Sequence, residues 1–107
     1  MKNEKGNMMV AKIISEIDAN SVNAETLIPM FKELREMAKE EQDPLLTRSI
    51  RLVYEHLEAN NGWEYQTLED SDEIEENLIY LVSLYAKSDN KYNRDELREI
   101  ANTMTNG

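Results

Sequence analysis

The chain reads as an all-α protein, a small antiparallel bundle of about five helices. Three observations predict this. Apolar residues recur three and four apart in five separate stretches, the spacing that lines one face of a helix. Capping residues, prolines and asparagine-rich breaks stand where those stretches begin and end. Only "WEYQTL", residues 63–68, alternates in the manner of a strand, and it has no evident partner to pair with.

The first helix is expected over about 8–19, where Val10, Ile13, Ile14 and Ile17 share a face and "NSVN" ends the pattern. Residues 1–7 read as a disordered polar leader ahead of a single helical domain, 8–107. The second helix, about 24–41, carries the stripe Leu27, Met30, Phe31, Leu34, Met37 and Ala38. Pro29 lacks the N–H of an interior helix position, so it either lies in a first turn starting near Thr26 or kinks the helix.

The third helix has the clearest start, with Asp43 as cap and Pro44 preset for the first helical position. Leu46, Ile50, Val53 and Leu57 face inward, and Gly62, after Asn61, is the natural stop. The short gap before it predicts that helices two and three form a hairpin.

The fourth helix is expected to open on "DSDE", with Asp70 capping and Glu73 reaching back. Its main stripe is Ile74, Leu78, Leu81 and Tyr85, but Ile79, Tyr80, Val82, Leu84 and Ala86 cover most of the remaining circumference. A helix apolar nearly all round is either central to the bundle or part of a subunit interface. The fifth, about 94–105, has "NRDE" as a capping box and turns Leu97, Ile100, Ala101 and Met104 inward. The picture is two helical hairpins plus an N-terminal helix.

One domain is what 107 residues at 40 % apolar content can support. The absence of cysteine excludes disulfides, thiolate metal sites and cysteine nucleophiles. The longest apolar-rich run, "LIYLVSLYA", is nine residues, half of a membrane span, and the first ten residues have no signal-type apolar stretch. The expectation is a soluble, cytoplasmic protein.

Charge is unevenly placed. The net charge is −10, from 22 acids and 12 bases. Residues 52–86 hold nine of the acids and no lysine or arginine, while the rest of the chain is close to neutral. Such a field repels nucleic acid and anionic membranes and favours a basic protein partner.

Few residues suggest chemistry. The single histidine, His56, is expected to be a boundary residue packing beside Leu52. One histidine also excludes the usual di-iron and multi-histidine zinc sites within one chain. "RLVYEH", Arg51 to His56, resembles the short arginine–histidine motif of the HEPN-type helical ribonucleases. That resemblance implies acid–base cleavage of RNA by Arg51 and His56. On one straight helix the two side chains would point about 140° apart, so they would meet only through a bend or across a dimer.

No cofactor or metal is expected. The acidic run 69–76 and the faintly calcium-loop-like "DNKYNRDEL", residues 89–97, both lack the glycine of a calcium loop. There is no nucleophile elbow or phosphate-cradling glycine loop. A bundle this small, with its apolar stripes committed to a core, is expected to have little room for a cleft.

The connector before the fourth helix holds Trp63, Tyr65 and Leu68. These side chains either fold back over the end of the bundle or stay accessible. In the accessible case Trp63 and Tyr65, ringed by Glu64, Glu69, Asp70 and Asp72, form a partner-binding patch. The favoured function is a non-enzymatic acidic interaction module, with a homodimer through the fourth helix as one form of it. The alternatives are an acidic decoy that occupies the groove of a nucleic-acid-binding protein, and the ribonuclease.

Overall fold

The computed structural model describes residues 1–106, and they form five α-helices without a strand. These are α1 (Glu4–Asn20), α2 (Ala24–Glu40), α3 (Pro44–Asn60), α4 (Ile74–Ala86) and α5 (Lys91–Asn106). The expected all-α bundle is what is seen, with α2–α3 and α4–α5 packed as two hairpins and α1 preceding them. None of these helices is long and apolar enough to cross a membrane.

The helices close into a ring. α1 packs on α2, α2 on α3, α3 on α5, α5 on α4, and α4 back on α1. Phe31, Leu34, Ile50, Val53, Leu78, Leu81 and Tyr85 fill the middle and are fully buried. One polar pair is buried with them, Ser49 Oγ and Tyr85 Oη at 2.8 Å. Burial pushes the Tyr85 phenol well above its usual range, so it stays a neutral hydrogen-bonding group.

α4 accordingly uses its apolar surplus inside its own chain, on α1 and α5. Among the described residues, the large apolar side chains left exposed, Met8, Ile74 and Tyr92, belong to three different helices.

The structure corrects several expected ends. The first helix begins four residues earlier than expected, within the stretch read as a leader. Asn3 caps α1 by accepting from Lys5 N–H, and the helix starts at Glu4. Met1 is buried, and its ammonium donates to the carbonyls of Tyr85 and Ala86 at 2.6 and 2.8 Å. The Glu41 carboxylate accepts from Lys2 N–H and Asn3 N–H, which ties this segment to the α2–α3 turn. Four charged or polar residues in the first five hid an anchor that backbone groups and the terminal amine provide.

Pro29 lies inside α2, six residues in, on the exposed face where water can serve the carbonyl it leaves free. Asn61, not Gly62, ends α3 in the left-handed region at φ 52°, since asparagine tolerates that conformation. Asn90, not Asn93, caps α5 by accepting from Tyr92 N–H, and the helix begins at Lys91. Asp43 caps α3 as expected and also takes both guanidinium nitrogens of Arg94 at 2.8 and 3.0 Å. That fork joins the α2–α3 turn to α5 and holds the Asp43 carboxyl below its usual range.

Candidate protein-binding cleft

The connector, residues 61–73, crosses from α3 to α4, which are not neighbours in the ring. It is held at three points. Trp63 folds inward and is only 2 % exposed, so it is a core residue and not an accessible anchor. Its indole packs edge-on to His56, with ring centroids 5.2 Å apart, and against Tyr65 at 5.6 Å. Its Nε1–H has no acceptor, so the indole serves here as apolar volume.

The second point is His56. Its Nε2 accepts from Glu64 N–H at 3.1 Å, which leaves the proton of the neutral ring on Nδ1, so in this tautomer the Asn60 Nδ2 donates to the His56 carbonyl at 3.0 Å and not to the ring. His56 is half-buried, the boundary position expected, and its ring also packs with the connector aromatics Trp63 and Tyr65.

The third point is Asn77, buried at the start of α4. Its Oδ1 accepts from Thr67 N–H and Leu68 N–H, at 2.6 and 2.7 Å. Its Nδ2 donates to the carbonyls of Ser71 and Glu73, at 3.0 and 2.8 Å. One amide thus satisfies four backbone groups of a loop that has no ladder of its own. This also moves the start of α4. Glu73, without a side-chain bond, stands at the cap position, and Asp70 is an exposed loop residue and not the expected cap.

Folded this way, the connector becomes one wall of a cleft of about 610 Å³. Tyr65, Leu68, Glu69 and Asp70 come from the connector, Tyr80 from α4, and Glu96, Glu99 and Ile100 from α5. Tyr65 Oη donates to the Met104 carbonyl at 3.3 Å, which ties the wall to α5. The lining holds four carboxylates and no lysine, arginine or histidine. The expectation was little room for a cleft within the bundle; the hollow that is present is partly open to solvent and owes one wall to the connector.

Of the six residues expected in a partner patch, Tyr65, Glu69 and Asp70 line this cleft. Glu64 and Asp72 stand with Trp63 around a separate hollow of about 130 Å³. The sequence pattern places Tyr80 on the apolar surface of the fourth helix and Ile100 on the inward face of the fifth, and marks neither, nor Glu96 or Glu99, as a site residue. Glu96 and Glu99 share one face of α5 at a three-residue spacing, which on its own looks like any solvated helix face.

Within the one chain, Arg51 and His56 have different partners. Arg51 pairs with Glu55 at 3.5 Å and borders a shallow hollow with Lys39 and Arg48, while His56 is engaged under the connector. Among the described residues no three acids or histidines converge in a way that could hold a metal ion.

Burial lowers the pKa of His56, and Glu64 nearby partly offsets this by favouring the charged ring. A protonated ring would set N–H against the Glu64 N–H. The sign follows from the lowered folded value. The neutral ring's contribution is complete above the unfolded value of about 6.5 and is lost as pH falls through the folded value. Because the ring is partly solvated, the expected fall in melting temperature between pH 7.5 and 5.5 is small, ~2 °C. Trp63 emission should report the same loosening. A His56→Phe variant with the same pH dependence would show that another group is responsible. Compared with known proteins, the chain matches no family model, no curated protein and no solved structure, so its function is argued from the geometry of this cleft.

Proposed function

We propose that the protein is a non-enzymatic interaction module that docks a basic partner protein through the cleft between the connector and α5. The observation that carries this reading is the cleft lining, where Glu69, Asp70, Glu96 and Glu99 surround Tyr65, Leu68, Tyr80 and Ile100 with no base among them. Aromatic and aliphatic surface supplies burial, and a rim of one sign selects the partner and speeds encounter. The single histidine holds the connector, which supports a binding role over an acid–base one.

Carbodiimide coupling tests the site. This reagent joins carboxylates to amines in contact with them without adding a spacer. In extract, coupling to a partner is expected to map to Glu69, Asp70, Glu96 and Glu99 and to fall as salt is raised. Equal coupling at Asp18, Glu25 and Glu33, exposed acids of α1 and α2, would mean that net charge and not the cleft attracts partners.

A further inference from the structure

We infer that the occupant of this cleft is a segment of a partner protein carrying closely spaced arginines, with a guanidinium bridging the connector wall and α5. The inference rests on the binding reading above and goes beyond it by naming the group that is recognised.

The placement of charge sets the size of the cation. Glu69 and Asp70 stand on the connector, and Glu96 and Glu99 on the facing helix. Their carboxylates do not converge on a point where a metal ion could sit. A cation that uses both walls must therefore be broad and carry several donors. Guanidinium is planar, with five N–H donors in a fixed fork, whereas an ammonium is a compact and strongly hydrated point charge.

The uncharged lining points the same way. Tyr65 and Tyr80 both border the cleft, and the Tyr65 hydroxyl is already committed to the Met104 carbonyl. What Tyr65 and Tyr80 offer a ligand is the half-buried ring surface that borders the cleft, Tyr65 packing its ring against His56 and Trp63 as well, and arginine stacks on aromatic faces more readily than lysine does. Leu68 and Ile100 give an arginine stem apolar surface to lie on.

Volume and net charge fix the occupant. The hollow is partly open and about 610 Å³, more than one side chain fills, so a peptide segment lying across it fits better than a lone cation. A second copy of this chain, at net charge −10, would be repelled by the same field.

The test uses the intact chain and two fluorescent probes read by anisotropy, a peptide of four arginines alternating with glycine and its lysine counterpart. The arginine peptide is expected to bind about fivefold more tightly than the lysine peptide, the order of one cation–π contact. The paired variant Glu96→Gln/Glu99→Gln should weaken binding by about tenfold, a loss on the scale of charged hydrogen bonds. Glu69→Gln/Asp70→Asn should do the same from the opposite wall. Asp18→Asn/Glu25→Gln, which removes equal charge from α1 and α2, should leave binding unchanged. Circular dichroism confirms that each variant is folded. Equal affinity for the two peptides, with both cleft variants still weakening it, would overturn the arginine inference and leave the basic-partner reading standing. Equal loss in all three variants, or no binding of either peptide, would overturn both.

Discussion

Replacing Trp63 with alanine is expected to cost about 3–5 kcal/mol, the range for removing a large aromatic side chain from a core. Trp63 is among the largest fully buried side chains, and it is the only one of these contributed by the connector. Removing it leaves a cavity bounded by His56 and Tyr65, which are themselves fixed by the connector they would have to move with. Small domains are stable by about 5–15 kcal/mol, so the variant should sit near the edge of folding. Trp63→Phe should be much milder, since the Nε1–H it removes has no partner to lose. Urea unfolding monitored by circular dichroism measures both. A loss below 1 kcal/mol for Trp63→Ala would show that the connector is not part of the core in solution. In the native chain the same burial predicts a blue-shifted Trp63 emission that resists acrylamide.

Asn77 is the second position where a large effect is expected. Asn77→Leu removes the acceptor for Thr67 N–H and Leu68 N–H and the donor for the carbonyls of Ser71 and Glu73. A buried backbone group left without a partner costs about 1–3 kcal/mol, but parts of this loop are near solvent and can rehydrate. The net expectation is about 2–4 kcal/mol, with a fall in melting temperature on the order of 10 °C or more. Asn77→Asp is a sharper probe, because it keeps the shape and the acceptor while turning the two donors into a carboxylate oxygen facing two carbonyls. If Asn77→Asp proves neutral at pH 7, the connector is not organised by this amide. Either substitution should also weaken peptide binding in the cleft more than it weakens the fold, because the wall loosens first.

The helices were legible in the sequence because helix formation leaves a periodic trace within a dozen residues. Phe31, Leu34, Leu46, Ile50, Val53, Leu78 and Leu97 are all buried where the periodicity places them. The ends were harder. Asp70 and Glu73 satisfy the local rule for a capping box, yet α4 starts at Ile74 because Asn77 binds the preceding loop from inside the bundle. Nothing within the "DSDE" stretch can reveal a competitor that acts through tertiary contacts. The cleft was least legible. Its walls are separated by about thirty residues of sequence, and Tyr80, Glu96 and Glu99 have individually ordinary neighbours. Tyr65, Leu68, Glu69 and Asp70 are the legible part, because aromatic, apolar and acidic residues coincide in one stretch.

The ring of helices has a consequence for cooperativity. In a linear stack the outermost element touches one neighbour and can fray away while the remainder holds. Here α1 and α5 are first and last in order but not at the edge of a stack, since each packs on two helices. Detaching any one helix breaks two interfaces at once and opens the interior that Phe31 and Tyr85 fill. Two of the contacts, α1 with α4 and α3 with α5, also interleave along the chain, so neither hairpin encloses them. Partial unfolding is thus penalised for α1 to α4, which each bury five or more residues, and least for α5, which buries only Leu97 and Ala101. Slow amide exchange should reach across α1 to α4 with similar protection, and should fall off in α5 and in the connector that the cleft borrows as a wall.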